Sequence, residues 1–412
     1  MLEQVALEEK HLADYRSVAG EEVLSEIREM AEPLQGARVL HVNATAFGGG
    51  VAEMLQTLVP LMVDVGLEAE WRVIEGADEF FSVTKSAHNG LQGMDIAFTD
   101  EMKEIWKRYN EMNAEKLEGA YEFIVIHDPQ PAGLFHYHGG EEGQHWIWRC
   151  HIDTSHPNPA YWDFFAPFID QHEAAIFTME QYVGAGVDFD HLAIVTPTID
   201  PLSPKNVPPD PDEARKVVGD FGLDLDRPII TQVSRFDPWK DPLGVIDAYR
   251  IVKERIPEVQ LALVGSMASD DPEGWQYLDR TIRHAGEDFD IHILHNYHGV
   301  GAHEVGAFQS ASDVVVQKST REGFGLVVTE ALWKSKPVVG GNTGGIPLQI
   351  IDGETGFLVD SVEGCAEKTL HLLEHPDEAA EMGAAAKEHV RENFLTTRHL
   401  TDYLRLFRAL RA

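Results

Sequence analysis

The sequence predicts an α/β protein of two doubly wound domains with a cleft between them, and three observations predict it. The chain has 412 residues, more than one core usually supports, so two domains of roughly 200 residues each are expected. Short apolar runs alternate with stretches of helical apolar spacing in both halves, the pattern of parallel β/α/β units. A proline-dense segment separates the two series.

Taken in order, Arg38 to Asn43 (RVLHVN) reads as a strand, followed by a glycine loop and a helix over VAEMLQTLVPLMVDVG, ending at Gly66. Glu68 to Ile74, Phe123 to Ile126 and Ala174 to Phe177 read as further strands. The stretch from Glu75 to Glu122 is less regular and is expected to be a loop over the cleft. Pro197, Pro201, Pro204, Pro208, Pro209 and Pro211 crowd the segment from Thr196 to Asp212, which argues against helix and central strand there and marks a semi-rigid linker. A second strand series runs through Pro228 to Ser234, Gln260 to Val264, Asp290 to Leu294, Asp313 to Gln317 and Pro337 to Gly340. Glu378 to Ala412 has helical spacing, with its end expected to pack back on the first domain. The expected boundaries are therefore 1–197, a linker at 198–212, 213–390, and a closing helix at 391–412.

Composition bounds the function. With 69 acidic against 33 basic side chains and a net charge of -36, the chain carries no electrostatic footprint for nucleic acid or an anionic membrane. The acidity is spread along the chain and suits a heavily hydrated surface. A salty cytoplasm and plain acidity are the two readings. Cys150 and Cys365 are the only cysteines, so neither a disulfide framework nor a cysteine zinc site is expected. Without a leader-like start or an apolar stretch of about 20 residues, the expectation is a cytoplasmic protein. No HExxH spacing supports a histidine zinc site.

In open α/β sheets ligands sit beyond the carboxyl ends of strands, which singles out four places. Gly48, Gly49 and Gly50 let backbone approach a phosphate or sugar at a helix start, although a tight turn explains them nearly as well. After the first strand of the second half, Arg235 and Lys240 can offset charge on a departing diphosphate without a metal. Glu322, Gly323, Phe324, Gly325 and Leu326 follow another strand, where backbone N–H groups and a carboxylate can hold phosphate and hydroxyls. Glu330 lies among apolar residues, a costly place for an idle charge. In the first half, Asp128 follows one strand and His151 lies along the next, so the two could face each other.

These features, with FGGGVAEML, VIEGADEFFSVTKSAHNGLQG, VIHDPQP, WRCHIDTSHPNP, TQVSRFDPWKD and REGFGLVVTEA as they stand here, resemble the retaining glycosyltransferases of the GT-B fold, group GT4. Within that group the match is to the trehalose glycosyltransferring synthase family and spans nearly the whole chain. The resemblance implies two Rossmann-like domains, an acceptor-side domain followed by a nucleotide-sugar domain. It implies NDP-glucose plus glucose giving α,α-trehalose, reversibly, by a front-face mechanism that retains the anomeric configuration. By that likeness Arg235 and Lys240 bind the diphosphate, Glu322 binds donor-glucose hydroxyls and Glu330 the ribose. Gly49, Gly50 and the amides of Gly323 to Leu326 complete the donor site, and Asp128 and His151 hold sugar hydroxyls. Thr84, Lys85, His88, Asn89 and Gln92 form an acceptor wall. No tightly bound cofactor is implied, Mg²⁺ on the free nucleotide could assist, and a homodimer is compatible with the chain. A sucrose-type soluble acceptor and a non-catalytic nucleotide-sugar sensor are the competing readings.

Overall fold

Two predominantly parallel sheets organise the computed structural model, which describes residues 1–47, 49–267 and 272–412. One compact unit comprises Met1–Thr198 together with Thr396–Ala412, and the other Ile199–Leu395.

In the first unit the strands are β1 (Glu3–Gln4), β2 (Arg38–Asn43), β3 (Glu68–Val73), β4 (Phe123–His127), β5 (His145–Arg149), β6 (Ala174–Phe177) and β7 (His191–Ile194). Their order is β1-β3-β2-β4-β5-β6-β7, parallel throughout except for the short antiparallel β1. The chain runs outward from β2 to β3 and returns to the other side at β4. The sheet's switch point is thus the crevice beyond β2 and β4. β4 and β6 are buried along their whole length, because helices cover both faces of a parallel sheet and its strands become continuous apolar runs.

The segment from Glu75 to Glu122 is not a loop. It forms two helices, Asp78–Leu91 and Asp100–Ala114. Asp78 and Glu79 sit in the first turn of one, and Thr99 caps the other by accepting from Met102 N–H at 3.2 Å. The apolar positions are too sparse to announce themselves, yet Phe80, Val83, Ala87, Leu91 and Trp106 join one core with the interior-facing side chains of β4 and β5. The stretch from Arg149 to Asp153 also differs from expectation: β5 ends at Arg149, so His151 lies in the loop beyond it.

The expected closing helix is two helices, Pro376–Asn393 in the second unit and Thr396–Arg411 in the first. The latter packs on Glu21–Ala31 and Gly49–Asp64. Phe407 stacks on Phe123 at 4.4 Å between ring centroids, and Arg411 pairs with Glu122.

In the second unit β8 (Ile229–Val233), β9 (Gln260–Gly265), β10 (Ile291–His295), β11 (Val314–Gln317), β12 (Val338–Gly341) and β13 (Gly356–Val359) pair in the order β10-β9-β8-β11-β12-β13. The switch point here lies beyond β8 and β11. The proline-dense segment is more ordered than a linker: Asp200 and Asn206 are buried, and a helix already begins at Pro211. Asp210 caps that helix through the N–H groups of Asp212 and Glu213. Proline is tolerated at a first helical position, where its missing N–H would have had no partner, so its presence did not exclude a helix there.

Candidate active site

Beyond β8, Asp237 Oδ1 accepts from the N–H groups of Trp239 and Lys240, each at 3.0 Å. Gln232 Nε2 donates to the Lys240 carbonyl at 2.7 Å. The turn so fixed carries the Lys240 ammonium to Glu322 in the loop beyond β11, with Nζ 2.5 Å from Oε2. Ser319 Oγ donates to the same carboxylate oxygen at 3.2 Å, and the backbones of the two loops join where Thr320 N–H donates to the Trp239 carbonyl at 2.8 Å. Arg235 belongs to the same turn but is largely exposed, 3.3 Å from Asp237.

The residues after Glu322 are shaped by glycine. Gly325, at φ 85°, is the N-cap of the helix Leu326–Trp333, and a Cβ there would stand 3.1 Å from Glu322 Cγ. A side chain at 325 would be strained and would press on the carboxylate arm. Glu322 itself precedes the helix. Buried Gln349 donates to the Phe324 carbonyl at 2.5 Å and fixes the loop from the far side. Glu330, in the helix and 1% exposed, is not left alone: Lys205 Nζ is 2.7 Å from its Oε1, and Gln309 Nε2 approaches its Oε2 at 3.4 Å. Lys334 donates to the Glu330 carbonyl at 3.2 Å. Burial lowers the Lys334 ammonium to about 8 against the pull of Glu330.

In the first unit the crevice beyond β2 and β4 gathers His127, Asp128 and His151. Asp128 sits at φ 64°, a left-handed conformation rare outside glycine. It is held on three sides: its N–H donates to the Arg149 carbonyl at 2.8 Å, its carbonyl accepts from Trp148 Nε1 at 3.1 Å, and its Oδ1 accepts from His151 N–H at 2.8 Å. Strain sustained by several bonds is typical of functional positions. Burial pushes the Asp128 carboxyl up to about 7, with the His151 N–H and the Arg149 guanidinium opposing. His151 and Asp128 do meet, through the His151 backbone. The His151 ring instead bonds His127, Nε2 to Nδ1 at 2.9 Å.

The remaining expected residues are dispersed. Gly49 and Gly50 open the helix Gly49–Asp64, while Gly48 lies outside the described residues. Thr84, Lys85, His88, Asn89 and Gln92 share one side of the helix Asp78–Leu91 and its C-cap. Thr84 and Gln92 are buried, and the Thr84 hydroxyl is spent on the Phe81 carbonyl at 3.2 Å. A concavity of 570 Å³ lined by Gln144, Trp146 and Glu173 lies at the amino ends of β5 and β6, the wrong end of the sheet for this chemistry.

The sequence of the first unit matches the family model for the N-terminal domain of trehalose synthase over residues 41–184, and residues 215–389 match glycosyl transferases group 1. The trehalose synthase of Thermococcus litoralis is 55% identical over 401 residues, covering 97% of each chain. That of Rubrobacter xylanophilus is 54% identical over 414 residues, covering 100% of this chain and 99% of its own. The chain belongs to the trehalose synthase family. Its fold is GT-B-like: an α,α-trehalose-phosphate synthase (UDP-forming) from Burkholderia xenovorans, solved with glucose-6-phosphate, aligns over 90% of this chain and 100% of its own with a TM-score of 0.73 at 14% identity.

In this trehalose synthase family glycosyltransferase the sites also draw on residues that the sequence did not single out: Lys205, Ser319, Gln349, His41 and the pair Lys318–Asp241, together with His127, which stood in the VIHDPQP block without an assigned role. Two of these carried a local signal: Asp241 lies in the TQVSRFDPWKD block next to Lys240, and His127 in the VIHDPQP block next to Asp128. Among the described residues, His371, His375 and Glu378 form the one group able to gather round a metal ion, with donor atoms within 4.8 Å of one another. They sit at the junction of the helices Val362–Glu374 and Pro376–Asn393, not in the loops that follow β8 and β11. No helix among the described residues is long and apolar enough to cross a membrane.

Proposed function

We propose that this glycosyltransferase makes α,α-trehalose from a nucleoside-diphosphate glucose and free glucose, reversibly and with retention. The observation that carries the reading is the Lys240–Glu322 bond at the switch point of the second sheet, on a chain 54–55% identical over its length to proteins named trehalose synthase. Lys240, joined by Arg235 when the exposed guanidinium swings to substrate, neutralises the diphosphate as the C1–O bond to phosphate breaks. Glu322 accepts hydrogen bonds from hydroxyls of the transferred glucose, and Glu330 does so from the ribose.

The acceptor hydroxyl attacks C1 from the face the phosphate leaves, and its proton passes to the departing phosphate oxygen. No protein nucleophile is required, so the protein contributes orientation and charge. Asp128 and His151 bind sugar hydroxyls, and the helix face carrying Lys85, His88 and Asn89 borders the acceptor. Backbone N–H groups of Gly49, Gly50 and Gly323 to Leu326 complete the donor contacts. Mg²⁺ acts only by pairing with the free nucleotide.

The test is incubation of purified protein with UDP-glucose or ADP-glucose and a panel of acceptors, with products and linkage read by NMR. Trehalose from glucose supports the reading. Transfer to a different acceptor, or tight donor binding without transfer, overturns it in favour of a sister transferase or a sensor.

A further inference from the structure

Three histidines line up beneath the site in the first unit. His41 lies within β2, His127 ends β4, and His151 follows β5, so the sheet itself brings together residues far apart in the chain. His41 Nδ1 is 3.0 Å from His127 Nε2, and His127 Nδ1 is 2.9 Å from His151 Nε2. Successive rings are nearly parallel, at 30° and 12°. His41 and His127 are buried and His151 is partly exposed. At the inner end His41 Nε2 has no partner. The two bonds engage His41 Nδ1, both nitrogens of His127 and His151 Nε2, so at the outer end His151 Nδ1 is the nitrogen they leave over.

Both links have the same polarity, Nδ1 of the inner ring to Nε2 of the outer. Each nitrogen–nitrogen contact needs one N–H and one lone pair. A neutral row of this kind therefore has two arrangements, with all three protons on Nδ1 or all three on Nε2. Any mixture sets N–H against N–H or lone pair against lone pair. Burial above all holds the three rings below the usual imidazole range, and the fully buried Arg149 guanidinium adds to the effect on His127 and His151.

We propose that His41, His127 and His151 form a single tautomeric relay. Whether His151 Nδ1 donates to or accepts from a sugar hydroxyl is decided jointly with two rings that never touch the ligand. His41 and His127 are thus positioning residues, and an all-Nδ1 arrangement makes His151 a donor while an all-Nε2 arrangement makes it an acceptor. The link from relay to sugar rests on the proposed placement of His151; the relay itself does not.

The deciding experiment is ¹⁵N NMR of histidine-labelled full-length protein at pH 7, with the rings assigned by single substitutions. The expected result is one shared tautomer across the three rings, and a change in the His151 ring ¹⁵N shifts on His41→Phe although the two rings are not in contact. Mixed tautomers, an imidazolium on any of the three, or unchanged His151 shifts in a folded H41F variant would overturn the relay. His41→Asn, whose amide can stand where Nδ1 stood, should restore the wild-type pattern, and failure to do so also counts against it. If H41F does not fold, the wild-type tautomers decide alone. In transfer assays H41F should lower kcat about tenfold and H41N should recover most of it. Wild-type protein that makes no trehalose yet shows one shared tautomer would sink the assigned reaction and leave the relay standing.

Discussion

Lys240 Nζ stands 2.5 Å from Glu322 Oε2, so the loops after β8 and β11 close on each other through opposite charges that are both largely shielded from water. A cation held this way is positioned before any diphosphate arrives, which is the condition for electrostatic preorganisation.

Lys240→Met should therefore reduce kcat by about 10²–10³-fold, the usual cost of one preorganised charge-stabilising group, while the protein remains folded. Steady-state kinetics with circular dichroism on the same sample check it. Turnover within a few-fold of wild type would remove Lys240 from leaving-group stabilisation.

Lys205 and Glu330 make a second pair at 2.7 Å, with the carboxylate more deeply buried than Glu322. Lys205→Met strands a carboxylate that is 1% exposed, so a loss of about 3–5 kcal/mol is expected. The double variant K205M/E330Q should regain most of that stability. Urea titrations of the four proteins close the cycle, and additive losses would show that the two groups are not coupled.

Asp128 has a folded-state value raised to about 7 by burial. Its contribution to stability is full below the ordinary carboxylate value near 4 and is lost as pH rises through about 7, by up to about 4 kcal/mol. Asp128→Asn should thus be relatively more stable than wild type at pH 8 than at pH 4. If the ionised carboxylate binds sugar, kcat/KM should rise through about pH 7 and that limb should vanish in D128N. Parallel denaturation and pH–rate curves test both halves.

Five histidines, four of them buried and His151 half-buried, work in the opposite sense. His41 and His399 are lowered to about 3, His172 to about 4, and His127 and His151 well below the ordinary value, burial being the leading cause for each. Because the unfolded chain takes up these protons near pH 6.5 and the folded chain does not, stability is present above that pH and falls as pH drops below it. Unfolding between pH 6.5 and 5 should take up roughly two or more protons, read from the slope of stability against pH. A flat profile would mean these rings protonate in place.

The acidic surface makes its own prediction. With 69 acidic and 33 basic side chains, self-repulsion should be relieved by screening, so Tm should rise by about 5 °C or more between 0.1 and 2 M KCl. Insensitivity to salt would leave plain acidity as the reading.

Both strand series were legible because β4, β8 and β11 are apolar runs with turns after them. The helices Asp78–Leu91 and Asp100–Ala114 were not, since each is held by a few large residues such as Phe80 and Trp106 rather than by a regular stripe. His191–Ile194 escaped for a related reason: its four residues alternate between half-buried and exposed.

The sequence by itself determined that Arg235, Lys240 and Glu322 follow strands, that Gly325 stands at a helix start, and that the chain is strongly acidic, because each is a matter of local pattern or of composition. Only the tertiary structure decided which partner each charge takes. Lys240 finds Glu322 82 residues away, Lys205 finds Glu330, and His41 reaches His151 through His127, 86 residues further along the chain. Such contacts depend on strand order and register, which bring distant residues to one sheet edge, and no spacing along the chain records them.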